Sequence, residues 1–570
     1  MMNSDWRYML NGFIMPTESG YCDQPSIVRA SDGSWVCSIT TGRGGEGAKG
    51  QYVSIIRSSD RGKTWSTPLA IEPGPWESAY SSLAVAPSGR IYCFYCYNLD
   101  QVDIERAKLK RYDMGGYYCY RISEDCGKTW SERRVVPVRD FEIDRKQEEP
   151  YREFEGKPLR FFWNVSRVFF DGNTCYSALI KYHYKDEDVL YSSEGVLLKC
   201  CGLDDDPDHA VWQTLPDGEI GLRTPPGGGR VAEEQCFVKL SDGTIFCIYR
   251  TIDGHPACTL SRDGGHTFET PRYLQYANGR RVKHNRAATF LWPLGEGRYL
   301  LWFNNHSLTS YNRRNPIWCA LGIETPTPNG LTLEFSQPEI LLYHQSEHIG
   351  MSYPDLLYDG DWYVTETQKS QARIHRIEKR FIEKLCGQFA RSAQDCGAPV
   401  YCANYQDADS TFPEIVFSRP TLQDQRDYRQ INDHGYTVAL FFENARAGET
   451  LFSTRDVQGG LLIGLDQNGN IRVWMGDVMA NCTLQGSWPL NDGRAHRLAL
   501  ILDIQANLAY LVVDGTMDDG GERAPAGWQW INRSMIALPA CKRPALSKAV
   551  AEVRLYDRAL LTCEAASIKR

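Results

Sequence analysis

One eight-residue pattern occurs three times in the 570-residue chain and commits it to repeated β-hairpins. The copies are Ser58-Ser-Asp60-Arg-Gly62-Lys-Thr64-Trp65, Ser123-Glu-Asp125-Cys-Gly127-Lys-Thr129-Trp130 and Ser261-Arg-Asp263-Gly-Gly265-His-Thr267-Phe268. The first two lie about 65 residues apart and the third follows after a little more than two such periods, a spacing expected of propeller blades. An alternating apolar run, Tyr52-Val-Ser-Ile-Ile56 for the first copy, precedes each, and a short strand follows, so the pattern occupies a hairpin turn. Within it Ser and Asp satisfy turn amides, Gly takes a positive φ and the aromatic ring packs beneath the hairpin. Aromatic residues at 12%, with 31 Tyr and 15 Trp, suit β structure better than a helical bundle.

The repeat resembles the Asp-box of the sialidase-like propellers, which implies a six-bladed ring. Residues from about 15 to 385 leave room for six blades of roughly 60 residues. Strand-like runs such as Arg90–Tyr97, Thr244–Tyr249 and Tyr299–Phe303 agree. From Gln371 to Leu385, Ile374, Ile377, Phe381 and Leu385 recur at helical spacing and predict a connecting helix. Strand patterns resume after about residue 400, including Tyr436–Phe442, Leu461–Leu465, Ile471–Trp474, Leu498–Leu502 and Ala509–Val513. The stretches Asp492–Asp503, Val513-Asp-Gly515 and Ala551–Leu560 resemble the laminin-G or concanavalin-like lectin sandwich. The expected fold is all-β: a six-bladed β-propeller (1–385), a linker (386–400) and a jelly-roll, concanavalin-like β-sandwich (401–570). Such sandwiches bind glycans or simply pack on a catalytic domain, and both roles stay open.

The net charge of −8 offers no basic field for a phosphate backbone, so nucleic acid is not an expected partner. No run of about 18 apolar residues is present, so neither is a membrane. The 19 cysteines are odd in number and scattered, and no secretion signal is visible at the start, which points to reduced thiols and a cytoplasmic location. Cys93 and Cys96 form a C-x-x-C, but strand alternation sends them to opposite faces. Neither H-E-x-x-H spacing nor a phosphate-cradling glycine motif occurs, and no metal or cofactor is expected.

In a propeller the site lies where the innermost strands meet, so its residues come from distant blades. Sialidases use a Tyr nucleophile activated by a Glu, an acid/base on a mobile loop and three arginines that clamp the substrate carboxylate. The segment Glu233-Glu234 to Arg250 is similar to the family's stretch in which a Glu opens an inner strand and an Arg ends the next. Met351-Ser-Tyr353-Pro-Asp355 resembles the tyrosine-bearing strand, and Arg313-Arg314-Asn-Pro-Ile-Trp318 the site of the last clamp arginine. The resemblance thus implies Tyr353 as nucleophile, Glu234 as its base, and Arg250 with Arg314 or Arg313 as clamp. The glycine-rich loop Thr41–Gly50 stands where the family carries its acid/base, which makes Glu46 that candidate and adds Arg43 as a substrate-binding one.

Two positions depart from the family. Its acid/base is an Asp, where this chain has Glu46. Asp23, in Tyr21-Cys-Asp23-Gln24-Pro25, stands where the first clamp arginine belongs, and an acid there repels a carboxylate. Asp23 is therefore expected to alter substrate choice. The expected activity is exo-hydrolysis of a terminal, acidic sugar from a glycan, with sialic acid, a related keto acid and a uronic acid all open. A non-catalytic glycan-binding propeller and a polysaccharide lyase are the alternatives.

Overall fold

Each eight-residue repeat closes the turn between the third and fourth strands of a four-stranded antiparallel sheet. In the computed structural model, which describes residues 5–570 except 19, 75, 186–187, 390–393, 406–409 and 418–434, all three turns are built alike. Ser58 Oγ donates to Asp60 Oδ1 at 2.9 Å and accepts from the Gly62 amide at 2.8 Å. The hydroxyl and amide of Thr64 both donate to Asp60, at 2.6 and 2.8 Å, and hold its carboxyl at about 2. Ser123 and Ser261 repeat the arrangement.

The glycines of the turns have a second role, because each presses on a neighbouring strand. A Cβ on Gly127 would lie 2.8 Å from Val36 of the preceding blade, and one on Gly265 would lie 2.6 Å from Leu197 of its preceding blade. Gly265 also has φ +103°, a conformation that a side chain strains. Gly265→Ala is expected to cost about 1–3 kcal/mol through overpacking and backbone strain, read as a lowered melting temperature of the full chain.

Six antiparallel sheets form the ring, four of them four-stranded and two, blades three and five, five-stranded. Their innermost strands are Tyr21–Arg29, Ser78–Val85, Phe162–Trp163, Glu233–Lys239, Phe290–Gly295 and Leu356–Tyr358. The turn motifs fall on blades one, two and four, which explains their uneven spacing. Blade six takes its outermost strand, Phe13–Ile14, from the start of the chain, where it pairs with Ala372–Ile377. The core lies between the blades: Val36, Val53 and Ile55 of blade one meet Leu83, Ile91 and Cys93 of blade two in one cluster, while Cys96 packs from blade two toward blade three. Packing on both faces of every blade leaves the axis free for polar side chains.

The region Ala372–Ile377, expected to begin a helix, is the third strand of blade six. Its isoleucines lie three apart, a spacing that fits a helix locally, but Trp362–Thr367 and Phe13–Ile14 supply hydrogen-bond partners on both edges. The helix itself runs Lys379–Gly387 and buries Phe381 and Leu385.

Apart from two two-stranded ribbons, Glu153–Phe154 with Lys157–Pro158 and Ile415–Val416 with Ala537–Leu538, the remaining strands form two packed sheets. The larger contains Tyr401–Ala403, Val550–Tyr556, Tyr436–Glu443, Ala495–Asp503 and Leu508–Val513, and the smaller contains Thr450–Ser453, Gly459–Leu465, Asn470–Asp477 and Asn481–Pro489. The larger sheet is buried on both faces. Val438, Leu440, Leu498, Leu500 and Leu511 point into the sandwich, whereas Ala439, Phe441, Ala499, Ile501 and Tyr510 join a cluster with blades four and five. Strands covered on both sides read as continuous apolar runs, which is why Leu498–Leu502 lacks the usual polar alternation. Among the described residues, no helix is long and apolar enough to cross a membrane.

Candidate active site

Three of the innermost strands break register near the axis. The irregularities fall between Asp23 and Ser26, Ala79 and Ser82, and Glu233 and Cys236. Each contains a side-chain-bearing residue with positive φ: Gln24 at 52°, Tyr80 at 58° and Glu234 at 57°. Tyr353, just ahead of the first strand of blade six, has φ 45°. Such bulges re-aim side chains, and strained backbone held by a rigid scaffold marks functional positions. Tyr80, Tyr353, Arg250 and Arg314 border one cleft of about 860 Å³ at this end of the ring, with Glu234 lying behind Tyr353.

At the floor, Tyr353 Oη donates to Glu234 Oε1 at 2.9 Å, and Arg250 Nη1 reaches the same oxygen at 2.8 Å. Arg250 also binds Glu233 through Nε at 2.9 Å and Nη2 at 2.5 Å, and Arg286 approaches Glu233 at 3.3 Å. Glu233 and Arg250 face each other in register on adjacent strands, so the fold itself brings this pair together. Burial raises the Glu234 carboxyl above the usual glutamate range despite Arg250, and its Oε2 has no hydrogen-bond partner among the described residues. Burial and then Glu234 push the Tyr353 phenol up to about 12, while Lys369, Arg250 and Arg314 pull it down. The Lys369 ammonium lies 4.3 Å from the centre of the Tyr353 ring and the Arg314 guanidinium 5.6 Å from it.

A second cluster joins the first and last blades. Lys369 Nζ pairs with Asp23 Oδ2 at 2.5 Å and with Glu46 Oε2 at 3.1 Å. Arg111 reaches Glu46 Oε1 at 3.0 Å, Asp113 Oδ2 at 2.7 Å and Tyr80 Oη at 2.9 Å. Burial works against the charge on Glu46, but Lys369 and Arg111 outweigh it and hold the carboxyl at about 2. Burial raises the Asp23 carboxyl, with Lys369 restraining the rise, and Tyr21 Oη donates to it at 2.8 Å.

Five of the sequence candidates therefore border the cleft: Glu46, Arg250, Arg313, Arg314 and Tyr353. Asp23 does not reach it directly. It is 1% exposed and lies beneath Lys369, so the acid at this position is neutralised and the group presented nearby is a cation. Arg43 is not brought to the site: its side chain is 87% exposed and turns toward Glu18, because the flanking glycines Gly42 and Gly44, both at positive φ, reverse the chain there. Lys369, Arg111, Tyr80 and Glu233 are the residues that sequence reasoning missed as site members. Tyr80 had a usable signal, since Ala79-Tyr80 occupies the same place in blade two as Asp23-Gln24 in blade one and Glu233-Glu234 in blade four. Among the described residues, no group of His, Cys, Asp and Glu is arranged to hold a metal ion.

Residues 422–566 match the family described as the concanavalin A-like lectin/glucanases superfamily. No curated protein matches the chain in sequence. Solved structures similar to it include an intramolecular trans-sialidase from Ruminococcus gnavus in complex with oseltamivir carboxylate (13% identity, 65% of this chain and 98% of that one, TM-score 0.46). A Trypanosoma rangeli sialidase in complex with the inhibitor DANA is similar along 98% of this chain and 95% of its own, at 14% identity and TM-score 0.43. A Dyadobacter fermentans protein of unknown function covers 64% of this chain and 97% of its own, at 17% identity and TM-score 0.46.

Proposed function

We propose that the chain is an exo-acting glycoside hydrolase that releases a terminal acidic sugar, with Tyr353 as nucleophile and Glu234 as its base. The observation that carries the reading is the 2.9 Å bond between Tyr353 Oη and Glu234 Oε1, with Arg250, Arg314 and Lys369 gathered around it. A sugar with a carboxylate on its anomeric carbon would repel an anionic nucleophile, and a neutral phenol avoids that repulsion. The three cations stabilise phenolate and substrate carboxylate together.

In the first step the Tyr353 proton passes to Glu234, the phenolate oxygen bonds to the anomeric carbon, and the leaving oxygen takes a proton from Glu46. In the second, water gives a proton to Glu46 and its oxygen displaces Tyr353, which recovers its proton from Glu234. Glu46 is ionised in the free protein. A substrate carboxylate that draws Lys369 toward itself removes one of the two cations holding Glu46, which moves that carboxyl back toward the range where it carries a proton.

Turnover of a fluorogenic sialoside or of a fluorogenic uronide by the full chain tests the reading. Release of fluorophore supports hydrolysis. On a polysaccharide whose uronates carry a sugar at O4, absorbance from an unsaturated uronate instead identifies a lyase, and glycan binding with no turnover of any of these substrates leaves the binding-protein alternative. Lys369→Met is expected to raise KM for the acidic substrate roughly 10- to 100-fold through loss of one charge-assisted contact. The double variant Asp23→Asn/Lys369→Met removes the stranded buried acid and should keep the same KM defect in a stably folded chain. An unchanged KM in both variants would refute a substrate-binding role for Lys369.

A further inference from the structure

The two cleft arginines Arg313 and Arg314 belong to an irregular segment, 304–316, that links Arg298–Phe303 to Ile317–Thr327 within blade five. Its end is fixed by the propeller: the Met351 amide donates to the Arg314 carbonyl at 2.9 Å, Arg314 Nη1 donates to Ser352 Oγ at 2.8 Å, and Asn315 Nδ2 donates to the carbonyls of His344 and Ser346 at 2.7 and 2.9 Å. Its start is tied by the Asn304 amide, which donates to His284 Nδ1 at 3.2 Å, and its middle by His306 Nε2, 2.7 Å from the Arg313 carbonyl oxygen, and by Asn285 Nδ2, which donates to the Asn312 carbonyl at 3.0 Å. Further contacts come from the sandwich. The Ser307 amide donates to the Pro525 carbonyl at 2.8 Å, and Trp528 Nε1 donates to the Asn305 carbonyl at 2.8 Å. The Trp528 ring also lies edge-on to His306, at 6.3 Å between centres.

The sandwich segment that makes these contacts, 518–528, is folded around a propeller side chain. Lys283 Nζ donates to the carbonyls of Asp519 at 2.7 Å, Ala524 at 2.6 Å and Gly521, while Arg280 pairs with Asp519. Gly520 and Gly521 adopt positive φ here, and a Cβ on Gly527 would lie 1.8 Å from the Asp518 carbonyl oxygen, so the loop closes tightly on itself. Lys283 is buried, and its ammonium is the common donor to three loop carbonyls that would otherwise lose a partner on leaving water.

We propose that the sandwich loop 518–528 is a working part of the cleft, holding segment 304–314 in the shape that presents Arg313 and Arg314 to substrate, with Lys283 and Trp528 as the positioning residues. The C-terminal domain thereby acts on substrate affinity from the side, without touching the sugar. The activity arm of this inference rests on the hydrolase reading above, and the structural arm does not.

Hydrogen–deuterium exchange on the full chain tests the structural arm. In Lys283→Met the peptide covering 304–314 should exchange about tenfold faster or more, with blades one and two unchanged. In Lys283→Arg, which retains donors, the protection should return in part. Trp528→Phe keeps a ring but loses the N–H to Asn305, and serves if Lys283→Met unfolds. With a turned-over substrate, KM should rise about tenfold with kcat within about threefold, because Tyr353 and Glu234 are not disturbed. Unchanged exchange of 304–314 in Trp528→Phe and in folded Lys283→Met would overturn the proposal. Absence of any wild-type turnover would remove the hydrolase reading alone, and the exchange result would still decide this one.

Discussion

Tyr353→Phe is expected to lower turnover of an acidic glycoside by at least about 10⁴-fold while leaving the fold and KM nearly unchanged. The substitution removes one oxygen, whose side-chain bond is the donation to Glu234 Oε1. Glu234 keeps Arg250 as a partner, so no charge is stranded by the change. What is lost is the atom that would bond to the anomeric carbon. Single-turnover kinetics on the full chain measure the step directly, and a variant retaining a tenth of wild-type activity would remove Tyr353 from the chemistry. The same pair fixes the pH dependence. Glu234 must be ionised to accept the phenol proton, and burial raises its pKa, so kcat, which reports the substrate-bound state in which Glu46 has regained its proton, should fall as pH drops through a value above the ordinary glutamate range. Glu234→Gln should abolish that limb together with most of the activity.

The second large effect concerns stability. Glu233 is fully buried and accepts from Arg250, itself 2% exposed, and from Arg286. Glu233→Ala would leave the Arg250 guanidinium, almost wholly buried at the floor of the cleft, with one carboxylate instead of two. Breaking such a pair from one side costs about 3–5 kcal/mol, because the surviving charge keeps its desolvation penalty. A urea titration should show a lower midpoint, and an unfolding free energy extrapolated to water that is smaller by that amount. Glu18→Ala, which removes the partner of the exposed Arg43, should cost no more than about 1 kcal/mol. A Glu233→Ala loss as small as that of Glu18→Ala would mean that the buried pair does not hold the floor together.

The turn motifs were legible in the sequence because their bonds close within eight residues, and their spacing then gave the blades. Tyr353, Glu234 and Arg250 were legible through resemblance, and the strand register that opposes Glu233 to Arg250 is what brings two of those segments together. Lys369 was not legible. It sits just past a strand at φ 69° and meets Asp23 across the junction of the last and first blades, a contact 346 residues long in sequence that no local periodicity announces. Asp23 therefore looked like an unopposed acid, when its charge is met by a lysine from the other end of the ring. Arg43 and Glu46 share one glycine-rich loop, and nothing in that composition says which side chain turns inward. The doubly buried sheet, in contrast, left a signal in Leu498–Leu502: an apolar run without alternation asks for a cover on both faces, and blades four and five supply the second one.

The pairing of Phe13–Ile14 with Ala372–Ile377 bears on how this molecule is made. On a ribosome the first five blades emerge before the strand that must clasp the beginning of the chain exists. The nascent protein therefore passes through an open arc with an uncovered blade face at each end, and long-range closure of this kind is slow. The Asp23–Lys369 pair forms across the same seam. The cleft cannot be complete before the ring is, so a half-made chain lacks the cluster of Asp23, Lys369 and Tyr353 that spans the seam.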